Sequence, residues 1–184
     1  MSLLAVQNFL ARIFTDENLR REFANAPEEI GRKNNLTEKE IAELIGILPD
    51  EINCFADSLR RKRLREVEKL LPFTKKALDE EFEKQFREFA AQFTPDSIKK
   101  HLEDAVRFAE FLQTKEIAPV WVQDLAKFEQ AKLEFRGYGK RFVFKIFNYN
   151  VKEICYRNEM TQTEYKKKKN FAVWLKIGKR EFIF

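Results

Sequence analysis

Up to about residue 135 the apolar residues of this chain recur every three or four positions, and beyond residue 140 they alternate or run together. The first spacing belongs to the face of a helix and the second to strands. The joint between them is Trp121 to Phe135, where Trp121, Leu125, Phe128, Ala131 and Phe135 fall in one helical stripe that has to be buried on the N-terminal side. Gly137 and Gly139 then free the backbone for a turn, and the chain re-emerges as RFVFKIFNY, a strand by composition.

The stretch before the joint reads as helices separated by short breaks. Val6, Phe9, Leu10, Ile13 and Phe14 share a face, Thr15 or Asp16 can cap a second helix with Leu19 and Phe23, and Pro27 suits the first turn of a third. Thr37 to Glu40 has the form of a capping box before Ile41, Leu44 and Ile45, with Gly46 and Pro49 ending that helix. A longer helix is expected from Asp50 to Leu71, broken by Pro72. Phe73 to Phe93 follows as a helix with Leu78, Phe82, Phe86, Phe89 and Phe93 in a core stripe, and another runs from Ile98 to about Gln113.

After the joint, Arg141 to Tyr149 carries apolar residues on both faces and reads as a central strand. Asn150 to Glu153 caps a short helix, and the polar stretch Asn158 to Asn170 reads as the most mobile loop. In FAVWLKIGKREFIF a two-residue turn at Gly178-Lys179 sets Ile177 opposite Arg180, Lys176 opposite Glu181, Leu175 opposite Phe182, Trp174 opposite Ile183 and Val173 opposite Phe184. Charges of opposite sign then meet, as do apolar side chains, whereas a one-residue slip puts Leu175 against Glu181. The fold class is therefore α+β: an N-terminal multi-helix bundle over residues 1–135, with 1–49 a cap of short helices and 50–135 a four-helix arrangement. A small antiparallel sheet of about three strands with one short helix follows over 136–184.

Composition sharpens this picture at two points. The 44% hydrophobic content and 19 Phe can fill a sizeable core, and no run nears the roughly eighteen apolar residues of a membrane span. The N-terminus contains Arg12 and no small-residue cleavage site, so no signal peptide is expected, and the expected compartment is the cytoplasm. The overall charge of +5 is uneven: residues 136–184 hold 13 Lys and Arg against 4 Asp and Glu, a net of +9, which leaves the first 135 with 22 against 26, a net of −4. A locally basic surface attracts nucleic acid or an acidic peptide or protein.

Candidate chemistry is sparse. His101, the one histidine, sits between Lys100 and Leu102 on a helix and reads as solvated; Cys54 and Cys155 read as ordinary free thiols. Gly137 to Lys140 looks like part of a phosphate loop but leads into a strand, which removes the helix N-terminus that mechanism needs. No cofactor and no catalytic residues are expected, and the chain reads as a non-enzyme.

LLPFTKKALDEEF at Leu70 to Phe82, DAVRFAEFL at Asp104 to Leu112 and DLAKFEQA at Asp124 to Ala131 resemble the successive signatures of bacterial proteins labelled as DNA-binding domains. Relatives of that family act as partners of multinuclear non-haem iron oxidases, the methanobactin-maturation type among them. The resemblance spans roughly Arg60 to Ala131, and Asp79 stands where such sequences often have Gly in the turn before Phe82. It implies a helical N-terminal part and a β-containing C-terminal part that helps recruit a precursor peptide to the oxidase.

The expected function is accordingly that of a non-catalytic adaptor binding a peptide, and with it a partner enzyme, through the C-terminal sheet. Arg141, Lys145, Lys166, Lys167, Lys168, Lys169, Trp174 and Lys176 are the candidate binding residues. The alternative is a DNA-binding regulator that holds phosphates with Arg60, Arg61, Lys62, Arg63 and Arg65 together with the Lys166 to Lys169 segment. Against it, no recognition helix with base-reading side chains stands out.

Overall fold

The computed structural model describes residues 3–46, 49–156 and 164–184. The chain divides into two compact units, Met1–Arg63 with Ala90–Thr94, and Leu64–Phe89 with Pro95–Phe184.

The first unit opens with the four expected short helices, α1 Leu3–Thr15, α2 Glu17–Asn25, α3 Pro27–Lys33 and α4 Glu38–Ile45. The starts of α2 and α4 are set by side-chain oxygens that satisfy otherwise unmet N–H groups, and that of α3 by Pro27 in its first turn. Asp16 Oδ1 accepts from Leu19 N at 2.9 Å, and the capping box closes with Thr37 N donating to Glu40 Oε2 at 2.8 Å. Phe9, Ile13, Phe23, Ile41 and Leu44 form the core, joined by Ile52 from α5, Pro49–Leu70. Phe9 and Phe23 meet edge to face, as aromatic quadrupoles prefer.

In the second unit the single helix expected over Phe73 to Phe93 is two helices, α6 Pro72–Leu78 and α7 Glu80–Gln92. The break is Asp79, held at φ +50° and ψ −117°, where a Cβ is strained and glycine is at ease. Asp79→Gly is therefore expected to stabilise the fold by about 1 kcal/mol, the relieved strain exceeding glycine's extra chain entropy. Urea unfolding measures it, and a loss of stability would contradict it.

α8, Lys100–Thr114, starts two residues later than expected, so Ile98 precedes it and is fully exposed rather than part of its stripe. Phe108 of α8 lies at the centre of an aromatic cluster, with Phe82, Phe86 and Phe89 of α7 at centroid distances of 5.2, 5.3 and 5.4 Å.

α9, Trp121–Arg136, is buried on several sides. Its stripe was expected to face the N-terminal helices, yet Ala131 and Phe135 pack with Val143, Phe147 and Trp174 of the sheet, with Phe128 alongside. The reason is that the sheet has an apolar inner face of its own to cover. Of the two turn glycines only Gly139 adopts positive φ; Gly137 stays helical and gives room to Leu102, whose side chain would lie 2.6 Å from a Cβ there.

The chain ends as β1 Phe142–Phe147, α10 Val151–Tyr156, β2 Asn170–Ile177 and β3 Arg180–Ile183. Both pairings are antiparallel, and the β2–β3 register is the one the turn and charge pairs predict, from Ile177 opposite Arg180 to Trp174 opposite Ile183, with Val173 and Phe184 exchanging backbone bonds. The strand order β1-β2-β3 makes β1 an edge and β2 the centre, which corrects the reading of β1 as a central strand. Over residues 157–163 the expected loop lies outside the described residues. Among the described residues no helix is long and apolar enough to cross a membrane.

Candidate functional site

The sheet edge at β1 is the site the fold leaves unfinished. Lys176 N donates to Arg141 O at 2.8 Å, and in an antiparallel ladder the bonding direction alternates along the strand. Arg141, Val143 and Lys145 therefore turn their backbone groups toward β2, and Phe142, Phe144 and Ile146 turn theirs away. Lys127 on α9 meets one of them, its ammonium donating to Ile146 O at 3.1 Å. A lysine laid along an edge is a way to protect it from pairing, and the same lysine can move aside.

Four buried polar side chains of α9 tie it to its neighbours, and two of them, Asp124 and Glu134, bond to residues on either side of β1. Asp124 accepts from the N–H groups of Asn148 and, at 2.9 Å, Tyr149, which fixes the turn where β1 ends. Glu129 reaches the other way and caps α6, accepting from Phe73 N at 3.0 Å, Thr74 N at 2.8 Å and Thr74 Oγ1 at 2.7 Å. Burial pushes the Glu129 carboxyl above its ordinary range, opposed by those three donors. Gln130 donates to Glu134 at 2.8 Å and accepts from Gln113 of α8 at 2.9 Å, and Glu134 in turn accepts from Lys140 at 2.7 Å, just before β1.

The residues singled out from the sequence are scattered by this geometry. Arg141 is exposed at the start of β1; Lys145, on the inner face, lies 3.9 Å from Glu134; Lys176 is 3.6 Å from Glu181 at the far end of the sheet. Lys166, Lys167, Lys168 and Lys169 are exposed in the segment leading into β2, which Lys168 N ties to Asn148 O at 2.8 Å. Trp174 is not on the surface at all: it is fully buried against Phe128, because the even-numbered residues of β2 face α9. In the alternative set, Arg60 pairs with Asp57 at 2.9 Å and Arg63 donates to Phe93 O at 2.8 Å, so both serve the first unit. Arg61, Lys62 and Arg65 are exposed.

What the sequence reading missed is the open face of the sheet. Phe142, Phe144 and Ile146 of β1 stand opposite Leu175, Val173 and Phe171 of β2, and Phe182 opposite Leu175, all on the side away from α9. The signal was present, since FVFKIF and FAVWLKI lack the polar alternation of a half-solvated sheet. His101 is exposed, as expected, and both cysteines are free thiols; half-burial pushes Cys155 up to about 11, which makes it a poor nucleophile.

Residues 46–114 match the family model described as SCO6045-like, C-terminal domain. The matched span runs from the end of α4 through α8 and stops before α9 and the sheet. No curated protein matches the chain.

Proposed function

We propose that this chain is a non-catalytic recognition protein that takes an extended peptide as a fourth strand on β1. The observation that carries the reading is the row of backbone groups at Phe142, Phe144 and Ile146, which face away from β2 and carry only the Lys127 contact among the described bonds. Main-chain bonds to such an edge supply affinity, and alternate side chains of the peptide supply choice. The family resemblance of residues 60–131 extends this to a precursor peptide delivered to an iron oxidase.

A salt series with synthetic precursor leader peptides and random duplex DNA tests the reading. Peptide affinity is expected to persist at moderate salt, because main-chain bonds are little screened, whereas DNA held by Lys166 to Lys169 would lose affinity steeply and regain a flat response when those lysines are neutralised. Phe144→Pro removes an N–H that β2 does not use, so the ladder survives while the edge loses a donor; Phe144→Val keeps the donor and is the control. Peptide binding lost with proline and kept with valine is the expected result. Tight, salt-sensitive DNA binding without peptide binding would overturn it.

A further inference from the structure

The open face of the sheet is a surface distinct from the β1 edge. Phe142, Phe144, Ile146, Phe171, Phe182 and Phe184 lie on it, each between 37% and 63% exposed. At roughly 200 Å² per large side chain this is on the order of 600 Å² of contiguous apolar surface, the upper end of what a monomer exposes and close to one side of a standard protein interface. The inner face is covered by α9 and by Val151 of α10. The outer face carries the composition of a buried sheet, and among the described residues no second layer covers it.

The chemistry of the missing layer follows from what surrounds the face. At one end of the strands lie Lys166 to Lys169, and at the other Arg141, Lys179 and Arg180, all exposed. An occupant therefore needs an apolar centre and carboxylates at both ends. A second copy would set these cations against their own kind, with a net of +9 on each C-terminal segment. Single-stranded nucleic acid crossing the sheet would meet Val173, Leu175 and Ile177 along the central strand β2, positions without a ring on which a base can stack.

We infer that this face docks an amphipathic helix of a partner protein, apolar on one side and flanked by Asp and Glu. The inference goes beyond the edge-pairing reading and does not depend on it, since a helix has its backbone bonds internally satisfied and cannot add to β1.

The test uses the full chain and fluorescent amphipathic helical probes of about five turns, one with Leu and Phe on one face and Glu elsewhere, and one with Lys in place of Glu. Anisotropy is expected to give the Glu probe an affinity at least about tenfold above the Lys probe. The double variant Phe171→Ser, Phe184→Ser is expected to weaken the Glu probe at least about tenfold while leaving the thermal unfolding midpoint and the binding of an extended leader peptide unchanged. Equal binding of the two probes, or a Glu probe indifferent to the double variant, overturns the inference. So does tighter binding of a thymidine oligonucleotide that the variant abolishes, or a dimer of the free chain that the variant dissolves. Loss of the extended peptide alone would count against the edge and leave the face standing.

Discussion

Phe86→Ala is expected to lower the unfolding free energy by about 3–5 kcal/mol, the range for emptying a large aromatic site in a close-packed core. Phe86 is 1% exposed and touches Phe89 at 5.8 Å and Phe108 at 5.3 Å between centroids, the latter edge to face. Removal deletes the burial of one ring and its contacts with Phe89 and Phe108, and a close-packed core cannot close the gap fully. Phe86→Leu, which keeps much of the volume, is expected to cost less than half as much. Urea unfolding with an unchanged slope checks both. A loss under about 1 kcal/mol for alanine would mean that the cluster is not what holds α7 to α8.

Glu129→Ala is expected to cost about 2–4 kcal/mol, because two backbone N–H groups and one hydroxyl at the start of α6 lose their acceptor together. The pH dependence is more telling than the size. Burial raises the folded-state pKa of Glu129, so the unfolded chain gives up this proton first as pH rises. Its contribution to stability is then complete below the ordinary Glu pKa and is lost as pH climbs through the raised value. Glu129→Gln cannot titrate, and its stability relative to the native chain is expected to improve from about pH 4.5 upward. A difference that is flat with pH, or that runs the other way, would contradict burial as the dominant influence on this carboxyl.

The helical half was legible because its signals are local. Caps at Asp16 and Thr37 act within three residues, and the stripe of Phe82, Phe86 and Phe89 needs no knowledge of its partner to be read as core. The β2–β3 register was legible for the same reason: a two-residue turn leaves few ways to pair, and Lys176 opposite Glu181 selects one. Strand order was not, because apolar residues on both faces of β1 suit a central strand equally well as an edge whose outer face is exposed. Asp124 and Glu129 were missed because the amides they cap lie 24 and 55 residues away, and nothing near them in sequence marks a charge inside a buried helix as a cap. Trp174 was placed among surface candidates although the register already put it on the same face as Ala172.

The site on β1 is most directly tested by amide hydrogen exchange on the chain with and without a bound leader peptide. The account predicts that the N–H groups of Phe142, Phe144 and Ile146, which face away from β2, become strongly protected on binding, while those of Val143 and Lys145, already in the ladder, change little. Unchanged exchange along β1, with protection confined to Lys166 to Lys169 or to Arg61, Lys62 and Arg65, would contradict it.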